Sequence, residues 1–116
     1  MTSDEMFFQY RLLNPMICDY SHAIFSLSGI RENVLDEKIK EIIVAAYIFE
    51  ESGEEMPLVG DYQVLTAEDG SALAILKIKK TEVAPYSLFG NDTSTVIGNV
   101  SDDDIVIKIY FEIVFR

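Results

Sequence analysis

The most regular pattern in the chain is its last segment. From Ile105 onward, Ile105, Ile107, Ile109, Phe111, Ile113 and Phe115 take every second position, and Val106, Lys108, Tyr110, Glu112, Val114 and Arg116 take the positions between. Strict alternation of this kind predicts a strand over 105–115 with one face wholly buried and the other partly exposed. Its length favours a strongly curved sheet or a closed barrel. A second clear pattern is MPLVGDYQVLTAEDGSALAILKIKK, residues 56–80, where two apolar runs flank Asp69-Gly70. It predicts a β-hairpin with strands at 62–66 and 72–80, because glycine takes a positive φ in the turn without steric cost. Continued alternation would put Ile75, Lys77 and Lys79 on one face and Leu76, Ile78 and Lys80 on the other.

Helical periodicity is confined to the first part of the chain. Thr2 and Glu5 have capping-box spacing, Met6, Tyr10 and Leu13 recur at helical intervals, and Asn14-Pro15 stops the run. A helix over 2–13 follows. Residues 16–30, with HAIFSLSGI, fit either a short strand or an irregular segment. Asn33 reads as an N-cap, with Asp36 and Glu37 in the first turn, Lys40 near the end, and Leu35, Ile39 and Ile42 as the apolar stripe. The β-branched and aromatic run IIVAAYIFE, residues 42–50, predicts a strand. Residues 50–55 and 87–104 read as polar loops.

Composition narrows the class. The 116 residues suit a single domain over 1–116, and 49% hydrophobic with 25% charged residues is a globular balance. With one cysteine, Cys18, no intrachain disulfide can form. No basic-then-apolar leader opens the chain, and no apolar run reaches the roughly 20 residues a membrane helix needs. The expectation is a cytoplasmic protein with no membrane partner. Twenty acids against nine bases give a net charge of −11. Such a field repels phosphate backbones at long range, so nucleic-acid binding needs a local basic groove. The acidity serves solubility, or it faces a basic partner protein.

The stretch AAYIFEESGEEMPLVGDYQVLTAEDGSALAILKIKKTEV, residues 45–83, resembles the ASCH domain, a relative of the PUA domain. Pro57, Gly60, Asp61, Tyr62, Asp69 and Gly70 match that family's Pro-x-x-Gly-Asp-Tyr, strand and Asp-Gly turn in type and spacing. IYFEIVF resembles the family's last strand, and FFQYRLLNP, residues 7–15, the first helix of longer bacterial members. The resemblance implies an α+β fold, a small PUA-like β-barrel with flanking helices. It also implies RNA or modified-nucleoside handling, with some small members acting as amidohydrolases on acetylcytidine. Their signature is a Lys-Thr-x-Thr stretch whose lysine and second threonine work with a glutamate from a later loop. Here the corresponding residues are Lys40-Glu41-Ile42-Ile43, so both hydroxyls are missing. The later loop also departs, reading Thr95-Val96-Ile97-Gly98-Asn99 in place of Ala-x-x-Glu-Gly, and the chain has no tryptophan. A non-catalytic module binding RNA or a nucleotide-like ligand is therefore the expected function. A residual amidohydrolase and an acidic nucleic-acid mimic are the rivals.

The candidate ligand-binding residues are Lys40, Lys77, Lys79 and Lys80. Lysines on a strand meet phosphates, or they guard a sheet edge against pairing with another chain. Lys40 also suits a helix end. Cys18 and His22 lie four apart, but two ligands make no structural zinc site. Asp102-Asp103-Asp104 and Glu50, Glu51, Glu54 and Glu55 read as solvated turns rather than cation ligands. No metal or cofactor is implied.

Overall fold

A computed structural model describes residues 1–17, 29–53, 56–90 and 95–116. Residues 18–28, which hold the Cys18–His22 pair and all of HAIFSLSGI but its last two residues, and Glu54 and Glu55 lie outside the described residues. The elements are α1 (Ser3–Leu13), α2 (Arg31–Leu35), β1 (Glu41–Ala45), α3 (Ala46–Ser52), β2 (Tyr62–Thr66), β3 (Ala72–Pro85), a 3-10 turn (Tyr86–Phe89), β4 (Thr95–Ile97) and β5 (Ile105–Phe115). The strands form one mixed sheet in the order β2-β3-β5-β1-β4. The fold is α+β, as the sequence predicts. The sheet is open rather than a closed barrel, because its two outer strands, β2 and β4, do not pair with each other among the described residues. The length of β5 serves a central position between β3 and β1, not closure.

Local chemistry explains the well-predicted elements. Thr2 and Glu5 form a reciprocal capping box at the start of α1, each side chain accepting from the other's backbone N–H at 3.1 Å. The hairpin is as expected at β2, and β3 runs five residues past the predicted end to Pro85. At its turn, Asp69 accepts from the Ser71 N–H at 2.9 Å, and Gly70 sits at φ 87°, where a side chain would be strained. The Pro-x-x-Gly-Asp motif starts the pairing. The Asp61 carboxylate accepts from the Leu58 N–H at 2.9 Å, while Gly60 and Asp61 exchange backbone hydrogen bonds with Ile78.

Three predicted elements differ. The helix expected from Asn33 to about Lys40 is the single short α2, which begins at Arg31 and ends at Leu35. Its end is a Schellman turn, with Glu37 N–H donating to Val34 O, Lys38 N–H to Asn33 O, and Glu37 left-handed at φ 59°. Lys40 therefore lies beyond the helix, beside β1. The strand expected over 42–50 stops at Ala45, and α3 begins at Ala46, burying Ala46 and Phe49. Tertiary burial outweighs the β-propensity of Tyr47 and Ile48 there. The loop expected over 87–104 contains β4, which pairs parallel to β1 through Ile42–Thr95, Ile43–Val96 and Val44–Ile97.

Most of the core lies on one face of the sheet, where Ile42, Val44, Leu76, Ile78, Ile107, Ile109 and Phe111 pack under α2 and α3. On the other face, Met6, Phe7 and Tyr10 of α1 cover Val64 and Ile75. Burial along β5 does not follow the expected alternation: Val106, Ile107, Lys108 and Ile109 are all buried because both faces are covered there, and Ile105, on the face expected to be wholly buried, is 47% exposed. The expected β3 alternation breaks at Lys79. The register steps from Ile78–Phe111 to Lys80–Tyr110, leaving Lys79 as a bulge with no counterpart. Lys80 thus leaves the face of Leu76 and Ile78 and joins the outer one.

Candidate functional site

The sequence-predicted lysines go to three places. Lys77 pairs with Tyr62 across the hairpin and holds its ammonium 5.7 Å from that ring's centre, at the α1 end of the sheet. Lys79 and Lys40 line one cavity of about 260 Å³. Lys80 belongs to a separate cluster on the outer face of β3 and β5. Register and bulge, rather than sequence proximity, decide these destinations.

The outer-face cluster follows from cross-strand pairing, since residues directly opposite share a face. Lys80 faces Tyr110 and Glu82 faces Lys108 between β3 and β5. Tyr110 faces Glu41 and Lys108 faces Ile43 between β5 and β1. Five polar side chains are thereby brought together on three strands. Lys80 lies 2.8 Å from Glu82, the Tyr110 hydroxyl donates to Glu82 at 3.3 Å, and Lys108 lies 3.7 Å from Glu41. Both ammonium groups sit on aromatic surface. Lys80 is 5.3 Å and Lys108 4.9 Å from the Tyr110 ring centre, and Lys108 is 5.9 Å from that of Phe89. Cation–π contact of this kind favours the charged lysine.

Burial differs sharply within the cluster. The Lys108 side chain is 9% exposed and that of Lys80 62%. A buried ammonium needs compensation, which Glu41 and the two rings supply. The hydrogen bond with Glu82 raises the Lys80 pKa above its ordinary value, and the same bond lowers that of Glu82. Both groups are ionised across the neutral range. Chemically, the face offers an accessible cation, an aromatic pair and carboxylate acceptors. Sequence reading passed over Lys108, Tyr110, Glu82, Glu41 and Phe89 as site residues. The available signal was a lysine in the middle of the most apolar strand.

The cavity lies between residues 34–40 and the end of β5. Val34, Ile39, Phe111 and Ile113 form its apolar wall, and Lys40, Lys79, Glu37 and Glu112 its charged rim. The backbone hydrogen bond from Phe111 N–H to Lys40 O, at 2.9 Å, continues the β1–β5 pairing to its edge. Lys40 thus faces a different surrounding from Glu41 and Ile43, whose partners are Tyr110 and Lys108. At the position of the resembled family's second threonine, Ile43 is fully buried and carries only methyl and methylene groups.

Elsewhere, Asp102 and Asp104 hold a turn. Ser87 N–H donates to Asp102 O, and Ser101 N–H to the Asp104 carboxylate at 2.8 Å. No group of three or more potential metal ligands occurs among the described residues. No helix among the described residues is long and apolar enough to cross a membrane.

No protein-family model matches the sequence, and no curated protein does so either. Solved structures do match. An ASCH domain from Lactobacillus crispatus JV V101 superposes with a TM-score of 0.72 at 18% identity, covering 98% of this chain and 94% of that one. A protein of Enterococcus faecalis V583 assigned to the DUF984 family superposes with a TM-score of 0.65 at 14% identity, covering 96% and 92%. At such identities the likeness concerns the fold alone, and over nearly its whole length the chain folds as an ASCH-like domain.

Proposed function

We propose that the chain is a non-catalytic ASCH-like binding module for RNA or a nucleotide-like ligand, received on the outer face of β3 and β5. The supporting observation is the convergence there of Lys80, Lys108, Tyr110 and Phe89. A nucleotide presents a flat base and a phosphate. Aromatic rings take the base face, and an accessible ammonium takes the phosphate. Lys80 is the accessible cation, and Glu41 and Glu82 are acceptors for exocyclic amino groups. The non-catalytic reading rests on Glu41 and Ile43 in place of the threonines, since a methyl group attacks no amide.

The test is fluorescence anisotropy with a labelled single-stranded RNA, with cytidine monophosphate as competitor. Binding should weaken about tenfold in Tyr110→Leu and in Lys80→Ala. Against a net charge of −11, affinity should first rise with added salt, then fall as the phosphate contacts are screened. A basic partner protein would show the opposite low-salt slope, weakening from the start. Unchanged RNA affinity in both variants removes the proposed surface. Turnover of acetylcytidine that disappears in Lys40→Ala removes the non-catalytic reading.

A further inference from the structure

We infer that the cavity between residues 34–40 and the end of β5 is a second ligand site, separate from the outer face, for a small carboxylate with an apolar body. The cavity's charges carry the inference. Each rim carboxylate already has a cation: Glu112 lies 3.2 Å from Lys79, and Glu37 lies 4.0 Å from Arg116. Lys40 lines the same cavity, is exposed, and has no ion-pair partner among the described residues. With Arg116 counted beside the lining, three cations meet two carboxylates, and Lys40 is the cation left without one in a chain of net charge −11. A single anionic group on the ligand completes it. A dianion would have to pull Lys79 from Glu112.

The rest of the lining sets the body of the ligand. Val34, Ile39, Phe111 and Ile113 offer branched and aromatic carbon and no hydrogen-bonding side chain. The volume of about 260 Å³ falls below the roughly 300–1,000 Å³ of pockets for drug-sized ligands, which favours a fragment-sized acid. A polynucleotide does not fit such a space.

The walls are held in place from both ends. Arg116 donates to Leu35 O at 2.6 Å, and Phe111 N–H to Lys40 O at 2.9 Å, so β5 is tied to both ends of the 35–40 segment. Between those ties, Glu37 is left-handed at φ 59°, a conformation that favours glycine. A carboxylate is present there nonetheless, and it lines the cavity beside Arg116. The Schellman turn that imposes this geometry also brings the chain round so that Lys40 reaches the rim.

The experiment is an NMR titration of the ¹⁵N-labelled full chain with phenylacetate and, separately, with its neutral isostere phenylacetamide. Saturable shifts are expected at the amides of 34–40 and 111–113, at concentrations on the order of millimolar, with phenylacetate about tenfold tighter than the amide. In Lys40→Met, phenylacetate should fall to the affinity of the amide, while Lys40→Arg should keep most of the preference. Lys40 is exposed, so an unperturbed spectrum of each free variant shows that the fold is intact. Equal affinity for acid and amide, no effect of Lys40→Met, or shifts centred on Tyr110 and Lys108 would each overturn the inference. Because this titration reads the amides around Lys40 and the RNA experiment reads anisotropy in Tyr110 and Lys80 variants, a failure here leaves the RNA experiment untouched, and the reverse also holds.

Discussion

The inner and outer faces of β5 share one backbone and obey different rules. On the inner face, Ile107, Ile109 and Phe111 need only volume and apolar neighbours, and they find them in one contiguous core. On the outer face, Val106 is fully buried, Lys108 is buried with a charge, and Tyr110 is half-buried with a hydroxyl to satisfy. Each polar group there requires a particular partner on a particular neighbouring strand. The inner face is robust because many hydrophobic choices would fill it. The outer face is specific because few arrangements satisfy an ammonium beside two rings and a carboxylate.

The largest expected effect is on the inner face. Ile109→Ala should cost about 2–5 kcal/mol in chemical denaturation, as a fully buried isoleucine leaves a cavity behind. A loss below about 0.5 kcal/mol would falsify the burial of that face. Next is Lys108→Met, which keeps the packed stem and removes the ammonium. It should cost about 1 kcal/mol, because Glu41 is 41% exposed and regains water. A loss as large as that of Ile109→Ala would make the two faces equally structural. Tyr110→Phe should cost about 0.5 kcal/mol, since its hydrogen bond to Glu82 is long at 3.3 Å. A stabilised variant would show that the hydroxyl is not held there for the fold.

The smallest effect sharpens the electrostatics. By NMR, the Glu82 carboxyl should titrate below its ordinary value of 4.5, because Lys80 hydrogen-bonds its charged form. Its contribution to stability is complete above that ordinary value and is lost as pH falls through the lowered one. The Lys80 contribution has the opposite sense, complete below 10.5 and lost as pH rises through its raised value. In Lys80→Met the Glu82 midpoint should move up towards 4.5. A midpoint that stays put would transfer the cause to Tyr110.

What could be read from the sequence follows the same division. The hairpin and β5 were legible because Asp69-Gly70 and the Ile-x-Ile pattern act locally. The helix at Ala46–Ser52 was not, since Tyr47, Ile48 and Phe49 favour strand and only packing of Ala46 and Phe49 on the core decides otherwise. Gly53, left-handed just after Ser52, was the local clue to a helix end. β4 was hidden because three residues carry no periodicity of their own and gain their structure from β1. Among site residues, Lys40 and Lys79 were legible as basic positions but not as neighbours. Lys108 was hidden inside an apolar strand, and its partners Glu41 and Phe89 come from distant segments.

The bulge at Lys79 has a consequence for insertions and deletions. Ile78 opposes Phe111 and Lys80 opposes Tyr110, so the residue between them is one that β3 can lose while every other partner stays opposite its own. Because positions 79 and 80 are both lysine, removing either codon yields the same protein. That shortened chain should keep the hairpin below and the Glu82–Lys108 pairing above, with a straighter strand between. Losing Leu76 instead would shift the reading phase of half a strand and turn core side chains outward. The dilysine is thus an expansion joint in the strand: a place where length can change by one while the outer-face pairing is inherited and only the Lys79–Glu112 ion pair at the cavity rim is given up.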